Sequence, residues 1–132
     1  ESDGADRALA MAASLAAVNP EAHVDVVYVV PIPLLDETQM ANFKDILDMM
    51  ISDGEDLLAE AEQKMGEDVA ARTDSLLLTG TNPATEIVKL IGQRDYDLLI
   101  VGNRGLSGLK EYMGSVSHKL LHASPIPVLI AK

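Results

Sequence analysis

A chain of 132 residues with 21 acidic and 10 basic side chains, net charge −11, is sized for one domain around a single core. That acidity repels phosphate backbones and excludes nonspecific nucleic-acid binding, leaving solubility as the plain reading of the charge. No window approaches the roughly 18 consecutive apolar residues of a membrane span, and the absence of cysteine excludes a disulfide framework and thiolate metal sites. No basic-then-apolar leader opens the sequence, so a cytoplasmic location is expected.

Apolar periodicity then predicts alternating elements. Residues 3–17 are alanine-rich, with Leu9, Ala12, Ala13 and Ala16 on one helical stripe and Asp3 placed as N-cap. Residues 23–30 (HVDVVYVV) read as a strand covered on both faces. Residues 38–65 form a long amphipathic stretch. Its inward stripe includes Met40, Phe43, Ile46, Met50, Leu58 and Met65, with acids such as Asp45, Asp48 and Asp53 on the solvated face. Gly54 is expected to interrupt this helix and Gly66 to end it.

Residues 75–79 (SLLLT) form a second strand, and Pro83 opens a third helix as its first residue, with Ile87, Val88 and Ile91 facing inward. Residues 97–101 (DLLIV) give a third strand, residues 114–123 a fourth helix with Val116, Leu120 and Leu121 on its apolar side, and residues 127–131 (PVLIA) a last strand. This alternation defines an α/β fold class, a doubly wound open parallel sheet with helices on both faces, in one domain spanning 1–132. A leading helix in right-handed β-α-β winding crosses over from a strand before it, and that first strand is absent from the chain. Either roughly ten further N-terminal residues or a partner strand is expected to fill the gap.

The most informative stretch is Gly102-Asn103-Arg104-Gly105, followed after eight residues by Gly114-Ser115-Val116-Ser117. It leaves a buried strand and enters a helix, the place where open α/β sheets take ligands and where helix N–H groups face phosphate. Glycine there permits a sharp turn and close approach of a phosphate or ribose to the backbone. Ser115 and Ser117 offer hydroxyls, and Arg104 offers charge to a phosphate. The stretch lacks the Gly-Lys-Ser/Thr ending of a Walker loop and is not the dinucleotide fingerprint. The same glycines and Ser115 also suit a plain β-α turn with an N-cap.

The segment VGNRGLSGLKEYMGSVSHKLLHASPIPVLIAK, with TGTNPATEIV and DYDLLIVG upstream and DRALAMA near the start, resembles the universal stress protein family over nearly the whole chain. The resemblance implies a five-stranded parallel sheet, usually in a dimer, and an ATP site built on a Gly-x-x-Gly, nine-residue, Gly-Ser/Thr pattern. Carried over by position, Gly102 and Gly105 line the ribose and inner phosphates with Arg104 beside them. Gly114, Ser115, Val116 and Ser117 hold the distal phosphates, and the backbone of Val29 meets the adenine. The implied ligand is ATP, with Mg, or a related adenine nucleotide. This chain departs from the pattern twice: its spacer is eight residues, one shorter, and the strand whose tip carries the base-recognising acid lies outside it.

Other constellations point elsewhere. His118 and His122 are four apart on one helix, without a third ligand in sequence, and read as solvated histidines. The serines lack a nucleophile elbow. Pro127 suits the start of an edge strand, and the resemblance implies a homodimer through Val128–Ala131. No carboxylate or histidine is identifiable as a base for water, so the function read here is regulatory nucleotide binding in a stress response, at most with slow ATP hydrolysis. The alternative is a dimeric interaction module that binds no nucleotide.

Overall fold

The computed structural model describes residues 3–102 and 115–132. In chain order the elements are α1 (Asp3–Ala17), β1 (Val24–Pro31), α2 (Glu37–Lys64), α3 (Glu67–Ala70), β2 (Thr73–Gly80), α4 (Pro83–Gln93), β3 (Leu99–Gly102), α5 (Ser115–Ala123) and β4 (Val128–Ala131). The alternation and the parallel strand direction agree with the doubly wound expectation. Helices α1 and α2 pack on one face, α4 and α5 on the other.

Local chemistry sets the element ends. Asp36 caps α2 by accepting from the Gln39 amide at 2.7 Å, and the Gln39 side chain returns a bond to the Asp36 N–H at 3.1 Å. This reciprocal box satisfies two N-terminal donors and starts the helix one residue before the sequence stripe does. Asn82 caps α4 ahead of Pro83. Gly66, at φ 87°, adopts the left-handed region that ends α2 and directly precedes the single turn α3.

Two expectations about α2 are corrected. Gly54 does not interrupt the helix, which runs unbroken for 28 residues. It is buried, and a Cβ there would lie 2.8 Å from the Tyr28 ring and 2.9 Å from Leu77. Glycine lets α2 approach β1 and β2 closely, which outweighs its poor helix propensity. Ile46, expected on the inward stripe, is exposed. The buried face belongs to the second half of the helix, through Gly54, Leu58 and Ala61.

Arg72 joins the first helix to the second strand. Its guanidinium donates to the carbonyls of Ala16, Asn19 and Ala22 at 3.2, 3.1 and 2.7 Å and to Asp68 at 3.2 Å. A cation at the carboxyl end of α1 satisfies carbonyls without helical partners and complements the helix dipole. Beneath it Ala16, Met65 and Val69 form a buried cluster.

The strands fall into two parallel pairs, β1 with β2 and β3 with β4. Among the described residues no strand lies between β1 and β3. That place is a cavity of about 1150 Å³, bordered by Leu9 and Ala12 of α1, Leu58 of α2, Ile91 of α4, Ile100 of β3 and Leu120 of α5. Close-packed interiors leave few voids larger than a water molecule, so a space of this size is more than a packing defect.

The ladder bonds show which groups face that gap. Val24 N–H donates to Arg72 O and Ile32 N–H to Gly80 O, so the even-numbered residues of β1 turn toward β2. Alternate residues of a strand turn their backbone groups to opposite sides, so Val27 and Val29 present N–H and C=O to the gap. Leu99 N–H donates to Pro127 O, and by the same alternation Ile100 and Gly102 face the gap from the other side.

Candidate functional site

The carboxyl ends of β1 and β3 and the amino end of α5 converge at one mouth of the gap. Val29 is half-buried and pairs with Leu78 in register. Its backbone polar groups point away from β2, on the side of β1 that borders the gap. Gly102 ends β3 opposite it. The first turn of α5 follows, with Ser115 exposed, Val116 half-buried and Ser117 buried at 8% exposure. The first N–H groups of that turn have no acceptor within the helix, which leaves Ser115, Val116 and Ser117 able to bind an anion through the backbone.

Two of the site residues have partners the sequence did not announce. Ser117 Oγ donates to the Gly102 carbonyl at 2.7 Å. Its hydroxyl hydrogen therefore fastens α5 to the end of β3, and only its oxygen lone pairs and amide remain for a ligand. Gly102 was expected to leave room for ribose or phosphate. Instead a Cβ there would fall 2.2 Å from the Gly4 carbonyl oxygen and 2.9 Å from the Ala5 nitrogen. The room is taken by the first turn of α1, so the glycine is required for helix-strand contact. Gly4, itself buried, has no motif signal; only the coordinates place it here.

Arg104, Gly105, Gly114 and the eight-residue spacer lie outside the described residues. Of the remaining candidates, Gly102, Val116 and Ser117 line the cavity together, whereas Val29 and Ser115 are not among its lining residues. His118 and His122 lie one turn on, both exposed, their rings edge-to-face at 4.7 Å. At the far edge, β4 has one side on β3 and, among the described residues, no strand on the other.

Parallel strands, helices on both faces and a strand-to-helix passage at the carboxyl edge define a doubly wound α/β domain of the kind that takes ligands at that edge. The model of the universal stress protein family matches residues 1–132, and the chain belongs to that family. A universal stress protein of Thermus aquaticus is 33% identical over 135 residues, covering 98% of this chain and 93% of the relative. The Bacillus subtilis universal stress protein YxiE is 40% identical over 81 residues, 61% of this chain; the match spans about half of that relative (53%).

Solved structures share the fold. Universal stress protein UspA from Lactobacillus plantarum superposes with a TM-score of 0.85 at 20% identity, over 100% of this chain and 92% of that one. A universal stress protein in complex with cAMP gives 0.68 at 25% identity over 98% and 87%. One from Archaeoglobus fulgidus in complex with dAMP gives 0.71 at 23% identity over 100% and 90%. The chain has no helix long and apolar enough to cross a membrane among the described residues.

Proposed function

We propose that this protein binds an adenine nucleotide at the carboxyl edge of its sheet and serves as a nucleotide-responsive regulator of a stress response. The observation that carries the reading is the orientation of Val29. Its backbone N–H and C=O face away from β2, on the side of β1 where Gly102, Val116 and Ser117 line the cavity. An adenine edge offers the complementary donor and acceptor, and the α5 amides meet phosphate. Family members in complex with cAMP and dAMP support the class of ligand.

ATP with Mg²⁺ is the ligand this reading favours. A triphosphate approaching a chain of net charge −11 needs its charge offset, by Mg²⁺ across the phosphates and by Arg104. The protein acts in the cytoplasm as a homodimer through the free edge of β4, Val128–Ala131. Isothermal calorimetry with ATP–Mg²⁺, AMP and cAMP, on the wild type and on a Gly114→Val, Ser115→Ala variant, tests the reading. Saturable heat lost in the variant supports it. Equal, unsaturating heats for both proteins would leave the dimeric interaction module as the function.

A further inference from the structure

We infer that His23, Asp25 and Asp74, at the amino end of the β1–β2 pair, form a binding site for one divalent cation of the Zn²⁺ class. Strand geometry assembles the three ligands. His23 precedes Asp25 by two residues, so the extended chain turns both to one face. Asp74 is the register partner of Asp25 on β2, so the parallel ladder sets the two carboxylates side by side. One ligand atom from each residue lies within 4.8 Å of the others.

The side chains are left one partner short. His23 Nε2 is 2.9 Å from Asp74 Oδ2 and 3.3 Å from Asp25 Oδ1. An imidazole nitrogen carries at most one hydrogen, and here it bonds to Asp74. Asp25 Oδ1 is buried and has no aligned donor, on a side chain only 7% exposed. Such an orphaned carboxylate oxygen is costly to bury. A cation in place of that hydrogen, on the bare Nε2 of the other tautomer, would satisfy both carboxylates at once.

Geometry and ligand chemistry choose the ion. Metal–ligand bonds of about 2.0–2.2 Å in a tetrahedral site separate neighbouring ligand atoms by about 3.3–3.6 Å, against 2.9 and 3.3 Å from His23 Nε2 to the two carboxylates and no more than 4.8 Å between any two ligand atoms. Imidazole with carboxylates suits Zn²⁺ and its neighbours, whereas Mg²⁺ and Ca²⁺ prefer oxygen alone. The other oxygen of Asp25 is fixed by Arg94 Nη1 at 3.2 Å and by the Tyr96 hydroxyl, as outer partners orient a metal-ligating carboxylate. His23 and Asp74 are more than half exposed, leaving an entry path and room for water as the fourth ligand. The site sits at the opposite end of β1 from Val29 and is independent of the nucleotide.

Calorimetric titration of the tag-free protein with ZnCl₂, and with MgCl₂ and CaCl₂ in parallel, tests the inference. One Zn²⁺ should bind per chain without comparable uptake of the other two. His23→Ala and Asp74→Asn should abolish it, Tyr96→Phe should weaken it by about tenfold, and a His118→Ala, His122→Ala double variant should leave it unchanged. Circular dichroism of each variant confirms the fold. Absence of saturable Zn²⁺ binding, or binding lost in the double variant but kept in folded His23→Ala, would overturn it.

Discussion

The hydroxyl of Ser117 donates to the carbonyl of Gly102 at 2.7 Å, across fifteen residues of chain, and so fixes the two ends of the glycine-rich passage to each other. With Ser117 buried, removing the donor strands a carbonyl that water reaches poorly. Ser117→Ala should cost about 1–3 kcal/mol in urea denaturation. Ser115→Ala, at an exposed position, should stay within about 0.5 kcal/mol of wild type. Equal effects at the two serines would refute this division of roles.

The close approach of α1 to β3 makes a second, sharper prediction. A methyl group on Gly102 meets Gly4 backbone, which cannot rotate aside as a side chain can. Gly102→Ala should destabilise by about 1–3 kcal/mol or more through overpacking. A midpoint at or above that of wild type would show that α1 does not lie on the strand.

Gly54 tests the same principle against helix propensity. Alanine at an exposed helix position gains roughly 1 kcal/mol over glycine. Here the added carbon meets the Tyr28 ring and Leu77. Gly54→Ala should therefore bring no gain in thermal midpoint and Gly54→Val a clear loss. Stabilisation by alanine would mean the ring yields freely.

Arg72 ties α1 to the start of β2 through three carbonyls. Arg72→Ala should lose about 2 kcal/mol, in the range of charge-assisted hydrogen bonds and helix-terminus cations. Lysine, which lacks the planar fork, should restore only part of it. Full rescue by lysine would reduce the contact to charge alone.

Tyr96 gives a pH signature. Burial, then its hydrogen bond to Asp25 and that group's negative charge, hold the phenol above its ordinary value near 10. A group whose pKa is raised on folding contributes stability that is complete below the unfolded pKa. That contribution disappears as pH rises through the folded value. Stability should fall at alkaline pH, and Tyr96→Phe should flatten that fall. Phenolate absorbance, compared between the two proteins, should show one late-titrating tyrosine missing from the variant.

Much of the architecture was legible because its signals are local. Near-continuous aliphatic runs marked β1, β3 and β4, and Pro83 marked the start of α4. The reading failed where a neighbour decides. Gly54 carries a helix-breaking label in sequence, and only the adjacent Tyr28 reveals why it is tolerated. Strand β2 begins at Thr73, two residues before its apolar run, because Thr73 Oγ1 bonds to Val69 O and the ladder with Val24 starts there. The glycine passage reads in sequence as a candidate site, yet Ser117 looked like a free donor and Gly102 like open space. Both are engaged by residues fifteen or more positions away, which no spacing rule encodes. The His23–Asp25–Asp74 group was invisible for the same reason, since it needs the β1–β2 register.

The cavity between β1 and β3 has a testable consequence for stability. An apolar ten-residue extension fused before Glu1 and able to pair with both edges should raise the thermal midpoint and suppress binding of a hydrophobic dye. No change in either would argue that the cavity is filled in another way.

Binding of adenine nucleotide at Val29 and the first turn of α5 is tested by amide chemical shifts during titration with ATP–Mg²⁺. Saturable shifts are expected at Val29, Gly102 and residues 115–117, with His23 and Asp74 at the opposite end of the strands unmoved. Shifts that never saturate, or that gather away from Val29 and α5, would contradict it.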